Sequence, residues 1–211
     1  MGRVKVWGSV ILILAVCAAG VWALWNFELR WRPKTITKHQ AEITGLLEAS
    51  GWASSGGKGP KLYMVSYRTC TDCIRFKLEE VPKLVAKGVD VRIIEIARRD
   101  VNGLAKSTPA ERATVAQLWL TRDWGLMERW EKVPAEAWTA PGIPPADGDM
   151  GRMAVIESGR QLVERLRPLL KDNGINFAYP TLIWWNQKGE LRGCACEKRD
   201  TYRFVRRELG A

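Results

Sequence analysis

The spacing of apolar and polar positions changes several times along the chain, and each change marks an element. Val6 to Phe27 runs 22 residues without a charge. At ~1.5 Å per residue a helix of that length reaches about 33 Å, enough to cross a bilayer. Trp7 at one end and Trp22, Trp25 and Trp31 at the other sit where interfacial anchors belong. Over residues 34–50, Ile36, Ile43, Leu46 and Leu47 make a partial helical stripe, which suits a stalk, a dimer contact or an amphipathic helix packed on its own domain. Ser50 to Pro60, with Gly51, Gly56, Gly57 and Gly59, reads as a flexible connector, so the folded domain is expected to start near Lys61.

From there the period alternates between strand and helix. Leu62 to Arg68 predicts a strand and Cys70 to Lys87 a helix, with Pro82 as a bend and Gly88 as its stop. The β-branched run Val89 to Ile96 predicts a second strand, which completes a βαβ unit with parallel strands. Between about 100 and 178 the pattern is helical, opening on Thr108-Pro109-Ala110-Glu111, a capping box with proline at the first helical position. Trp119, Trp124, Trp130 and Trp138 supply apolar bulk, and the Pro/Gly-rich segment Ala140 to Gly148 divides the region. Met153, Ile156, Val163, Leu166 and Leu170 then stripe a last helix that stops near Gly174. Thr181 to Trp185, the turn Asn186 to Gly189 and Glu190 to Arg192 predict a β-hairpin, and a closing helix follows from about Glu197 to Leu209.

Charge and composition narrow the function classes. The 211 residues carry 33 Lys and Arg against 23 Asp and Glu, a net charge of +10. The densest basic share, Lys188 to Arg207, is interrupted by Glu190, Glu197 and Asp200, which suits a solvated helix face better than a nucleic-acid site. Anionic lipid beside the apolar span is a partner compatible with this charge. The single histidine, His39, leaves no material for a Cys-His hydrolase or a His-rich metal site and is expected at the surface.

The apolar span has two readings. Arg3 and Lys5 would also start a signal peptide, but the run is long for a signal core, and Leu14-Ala15-Val16-Cys17 lacks the small residue expected before a lipid-modified cysteine. An uncleaved anchor with Cys17 as a membrane thiol is the expectation. Arg30, Arg32, Lys34 and Lys38 after the span outweigh Arg3 and Lys5 before it, and counting charges alone would put the large domain in the cytoplasm.

Cys70-Thr71-Asp72-Cys73, set between a strand and a helix, carries the most chemistry. Unpaired N–H groups and the helix dipole favour a thiolate at that position, so Cys70 is the expected nucleophile. The same spacing also suits a zinc knuckle or two inert core thiols. The order βαβ, helical insertion, hairpin and helix, with this motif at the first strand-to-helix junction and Tyr179-Pro180-Thr181 before the hairpin, resembles the thioredoxin superfamily. Its long insertion is most similar to the Dsb-type periplasmic disulfide oxidoreductases and isomerases.

That resemblance covers residues 61 to 209 and implies a thioredoxin-like α/β fold. It implies a cis bond before Pro180 facing the Cys70–Cys73 disulfide, with the backbone of Tyr179 pairing with a polypeptide substrate. Cys70 would attack a substrate sulfur, and Cys73 or the substrate's own thiol would resolve the mixed disulfide. Asp72 opposes the thiolate and implies a less oxidising site, hence reductase or isomerase work, unless its charge points into water.

Cys194-Ala195-Cys196 departs from the family pattern. In an extended segment these Cα atoms would lie about 6.6 Å apart, near the upper end of the disulfide range, so a bridge there would be strained and readily reduced. An auxiliary redox pair, two structural or exposed thiols, and a four-thiolate zinc or iron–sulfur site with Cys70 and Cys73 all fit the spacing.

The sequence therefore predicts an anchor over 1–29, a stalk helix and linker over 30–60, and a thioredoxin-like domain over 61–211 with a helical insertion at about 100–178. The expected function is a single-pass thiol:disulfide oxidoreductase of the bacterial inner membrane with its catalytic domain in the periplasm. It would act on protein substrates or another redox protein, with no metal, no cofactor beyond the Cys70–Cys73 disulfide and no nucleic-acid partner. The alternative is a non-enzymatic thioredoxin-like binding or assembly module, or a protein that holds a metal through four cysteines.

Overall fold

The computed structural model describes residues 14–211, which divide into an N-terminal unit ending at Arg32 and a unit spanning Pro33–Ala211. In the N-terminal unit residues 14–24 are helical and continue into a π-helical turn, Trp25–Leu29. No helix of the described residues is long and apolar enough to cross a membrane. The predicted span begins at Val6, so its first residues lie outside the described ones. Cys17, expected as a membrane thiol, is an exposed free cysteine of this unit.

The second unit is built on a six-stranded mixed sheet. Its strands are β1 (Lys34–Thr35), β2 (Ala53–Ser54), β3 (Lys61–Ser66), β4 (Asp90–Glu95), β5 (Thr181–Trp185) and β6 (Leu191–Ala195), in the order β1-β6-β5-β3-β4-β2. Only β3 and β4 run parallel, joined by the predicted crossover; β5 pairs antiparallel with both β3 and β6. Every residue of β4 is buried, and so is every residue of β3 after Lys61. In β3 a near-continuous apolar run encodes burial on both faces, whereas β4 also buries the charged Asp90, Arg92 and Glu95.

Alternate residues of these strands feed two cores. Leu62, Met64, Ile93, Leu182, Trp184 and Cys194 face one core, shared with Cys70, Cys73 and Phe76 and with Tyr202, Val205 and Leu209 near the C-terminus. Tyr63, Val65, Ile94, Ile96 and Ile183 face the other. On the first side lie α2 (Thr71–Glu79), α3 (Val81–Ala86) and α7 (Arg199–Leu209), and on the second α1 (Gln40–Ala49) and much of α6 (Met150–Lys171). The predicted bend falls at Glu80, which joins α2 to α3 with φ stretched to −115° in the helical region, and Pro82 enters the first turn of α3, where its missing N–H costs nothing.

Between β4 and β5 the chain inserts α4 (Pro109–Thr121), α5 (Trp124–Lys132) and α6. Thr108 and Glu111 form the capping box read from the sequence, Thr108 Oγ1 accepting from Glu111 N at 3.1 Å and Glu111 Oε2 from Thr108 N at 3.0 Å. Val115, Leu118, Leu126 and Trp130 join the first core, so the insertion extends that core instead of forming a separate one.

The stalk and linker expected over 30–60 are not what the structure has from Pro33 onward. β1 pairs with β6 and β2 with β4, so the two segments form the edge strands of the sheet. Ile43 and Leu47 of α1 are fully buried, and at about 1.5–3 kcal/mol for each such side chain they hold α1 to the domain. Strands of two residues are too short to show a period. The linker glycines serve close approach instead: a Cβ on Gly57 would stand 2.5 Å from the carbonyl oxygen of Val89, and one on Gly59 2.7 Å from that of Gly88.

Candidate active site

β3 ends at Ser66 and a three-residue loop carries the chain to Cys70, which caps α2. Cys70 has extended backbone (φ −78°, ψ 107°), and its Sγ accepts from the amide of Cys73 at 3.1 Å. The first N–H groups of a helix lack internal partners, and here one of them is aimed at sulfur, where it and the helix dipole favour negative charge. Cys70 and Cys73 form a disulfide, with Cα atoms 5.1 Å apart. Cys70 keeps 4% of its surface and Cys73 none, so an attacking group from solvent meets Cys70 first.

Asp72 does not point into open water. Arg75, one turn on, donates Nη2 to Asp72 Oδ1 at 2.5 Å. The same guanidinium donates to the carbonyl of Glu197 at 2.5 Å, and its Nε lies 3.4 Å from the Tyr202 hydroxyl. The Tyr202 hydroxyl contact, with the charge of Asp72 behind it, outweighs burial and raises the Arg75 pKa. A fixed cation thus offsets the carboxylate that the sequence placed bare between the cysteines.

Tyr179–Pro180 is a cis peptide bond. Tyr179 meets Tyr67 edge-on with ring centroids 4.9 Å apart, and Tyr67 O accepts from Cys70 N at 3.1 Å, so one aromatic contact ties this bond to the cysteine loop. Phe177 packs edge-on against the other side of Tyr179 at 5.1 Å. Burial raises the Tyr179 pKa against the opposing pull of Arg167. Arg98 lies over the Tyr67 ring at 4.0 Å and, with Arg99, Lys106, Arg160 and Arg167, gives a cationic rim to a cleft of about 260 Å³ beside Tyr179.

Cys194 and Cys196 are also joined as a disulfide. Their Cα atoms lie 5.2 Å apart, closer than the roughly 6.6 Å of a straight strand. The chain leaves β6 after Ala195 and turns the Cys196 amide onto the carbonyl of Pro180 at 2.8 Å. The four sulfurs are thus paired two by two, which leaves the four-thiolate site of the sequence reading without free thiolates. Among the described residues no group of three or more His, Cys, Asp or Glu is placed to hold a metal ion.

One feature near the site went unread in the sequence. Lys77, one turn beyond Cys73, is buried with Glu95 of β4 and donates to it, and also donates to Glu131 of α5 at 2.8 Å. Ser66 donates to the same Glu95 oxygen, while Arg68 pairs with Glu131 at 3.0 Å. Burial pushes the Lys77 pKa down, but the charges of Glu95 and Glu131 overcome it and leave the pKa raised. Glu95 Oε2 has no hydrogen-bond partner. The available signal was a carboxylate flanked by Ile94 and Ile96 in a strand otherwise suited to burial. His39 is on the surface as expected, 3.1 Å from Asp172.

No protein-family model matches the chain, and a comparison with curated proteins finds no match. Solved structures do resemble it. A linker-deletion variant of Proteus mirabilis ScsC superposes with a TM-score of 0.53 at 14% identity, over 99% of this chain and 93% of that one. Proteus mirabilis ScsC in a compact conformation gives 0.53 at 13% identity, over 99% and 94%. BcfH of Salmonella enterica Typhimurium gives 0.51 at 14%, over 98% and 91%. At such identities the likeness is one of fold. A Cys-x-x-Cys disulfide at the start of the crossover helix, a cis-proline before the hairpin and a helical insertion between them complete the picture, and the chain has a thioredoxin-like fold.

Proposed function

We propose that this protein is a thiol:disulfide oxidoreductase acting on protein thiols or on another redox protein. The observation that carries the reading is the Cys70–Cys73 disulfide at a helix start, with the Cys73 amide on the Cys70 sulfur. Cys70 is the nucleophile: as a thiolate it attacks a substrate disulfide, or as half of the disulfide it receives a substrate thiolate. Cys73 resolves the mixed disulfide that results. An extended substrate segment lies along the edge at Tyr179 and Pro180, and the aromatic faces of Tyr67 and Phe177 border it.

The reductase or isomerase direction rested on an uncompensated Asp72. Arg75 supplies the compensation, so the direction is set by the potential of the Cys70–Cys73 pair. Two disulfides suit an oxidising compartment, and the uncharged run Val6 to Phe27 suits an anchor that holds the catalytic domain on the periplasmic side.

Replacing Cys73 with alanine should trap mixed disulfides between Cys70 and its partners, visible as adducts that a reductant dissolves. Cys70→Ala should give none. Adducts that persist in Cys70→Ala through Cys73 would reverse the assignment of roles.

A further inference from the structure

The second disulfide is not placed as a staple. It joins residues two apart in the chain, at the end of a strand already held by five register pairs to β5. The shortest loops gain least from a cross-link, since there is little chain entropy to remove.

Its surroundings point to the first disulfide. β6 runs antiparallel to β5, which itself runs antiparallel to β3, so the C-terminal ends of β3 and β6 lie at the same end of the sheet. Cys194 pairs in register with Leu182, and Leu182 with Met64, so Cys194 lies on the sheet face that α2 covers. All four cysteines are buried in that one apolar cluster. Two further bonds close the arrangement. The Cys196 amide donates to the carbonyl of the cis-proline. Arg75 of α2 holds Asp72, inside the first motif, with one contact and Glu197, next to Cys196, with another. A single guanidinium therefore joins both disulfide segments.

We propose that Cys194–Cys196 is an internal redox reservoir that exchanges with Cys70–Cys73, so that one chain takes up two pairs of electrons through a single entry point. The proposal rests on Cys70–Cys73 being the exchange site. After Cys70–Cys73 has oxidised a substrate dithiol, the Cys70 thiolate attacks Cys196 Sγ. The Cys70–Cys196 bond forms, the Cys194–Cys196 bond breaks, and Cys194 leaves as a thiolate that takes the proton of Cys73. The Cys73 thiolate then attacks Cys70 Sγ, restoring Cys70–Cys73 and releasing the Cys196 thiolate. Two electrons pass to the second pair, one proton moves from Cys73 to Cys194, and total charge is unchanged. Cys196 is the sulfur attacked because its amide and the next carbonyl are the atoms tied to Pro180 and α2. The step is reversible, and recharging follows the same path backwards.

The full chain, oxidised and mixed with an excess of a dithiol peptide, should oxidise two equivalents per chain. Cys194→Ser with Cys196→Ser should oxidise one, at an unchanged initial rate. Cys70→Ser with Cys73→Ser, which keeps the second disulfide, should react at least tenfold more slowly because the entry point is gone. In a separate arm Cys73→Ser with Cys194→Ser, treated with oxidised glutathione and digested, should yield the Cys70–Cys196 peptide pair at a yield independent of protein concentration. One equivalent from the wild type, or equal reduction of the second disulfide with and without Cys70 and Cys73, overturns the reservoir and leaves the proposed function standing. No oxidation by the wild type overturns the proposed function itself.

Discussion

Arg75 Nη2 stands 2.5 Å from Asp72 Oδ1, so the carboxylate set between the active-site cysteines is one half of an ion pair. Both side chains are about a third exposed or less, which keeps the pair from being fully screened. The cation favours a thiolate at Cys70 where the bare anion would oppose it.

Arg75→Ala should therefore slow alkylation of Cys70 in the reduced protein near neutral pH, because the thiolate loses a nearby cation. Asp72→Asn added to it should bring the rate back towards wild type. The pH dependence of Cys70 alkylation in the reduced protein measures both. An Arg75→Ala protein with the wild-type profile would show that the pair has no hold on the sulfur.

A second expectation concerns residues 51–60. If Gly57 serves close approach and not flexibility, Gly57→Ala must push a Cβ into the backbone at Val89. Overpacking of this kind costs about 1–3 kcal/mol. Chemical denaturation of wild type and variant gives the difference, and equal stabilities would restore the flexible connector.

The two readings of those glycines show what a sequence can and cannot carry. The crossover unit, the insertion, the hairpin and the closing helix were legible because each is long enough to display its period or its cap, as Thr108 and Glu111 do. β1 and β2 were not, since two residues define no alternation and their pairing is with β6 and β4, far along the chain. In the site, Cys70 and Cys73 announced themselves by residue type and spacing, and Pro180 through the resemblance to the thioredoxin superfamily. The Arg75 contact with Glu197 and the Lys77–Glu95 pair depend on segments 122 and 18 residues apart; Glu95 stands out only by its apolar neighbours Ile94 and Ile96, and nothing local distinguishes Arg75 or Lys77 from solvated side chains.

The loop that divides the insertion should report on pH. Arg112 holds Asp147 through two bonds of 2.6 Å, Nε to Oδ1 and Nη2 to Oδ2, and these contacts lower the Asp147 pKa. A lowered carboxylate pKa gives stability that is present above the ordinary value of 3.8 and is lost as pH falls through the folded-state value. Asp147 is more than a third exposed, so Asp147→Asn should cost only about 0.5–1 kcal/mol at neutral pH. Melting curves of the two proteins should converge as pH falls below 3.8 and through the folded-state value. A gap that persists in acid would mean that the asparagine perturbs packing and not charge.

Lys77 makes the opposite case. Its ammonium is buried against Glu95, which keeps 1% of its surface, and against Glu131. Lys77→Met would leave Glu95 with the Ser66 hydroxyl but no cation on that side, and an uncompensated buried charge costs about 3–5 kcal/mol. Adding Glu95→Gln should recover much of that loss, because the charge goes with its partner. The sign of the pH dependence follows from the raised Lys77 pKa. A raised folded-state value means that the contribution is complete below the ordinary lysine value of 10.5 and disappears as pH climbs through the folded-state value. The stability gap between wild type and Lys77→Met should accordingly be flat from about pH 6 to about 10 and narrow only in stronger alkali. Urea unfolding across that range measures it. If the gap closes near neutrality, the lysine carries no charge in the folded protein and the buried pair is wrongly assigned.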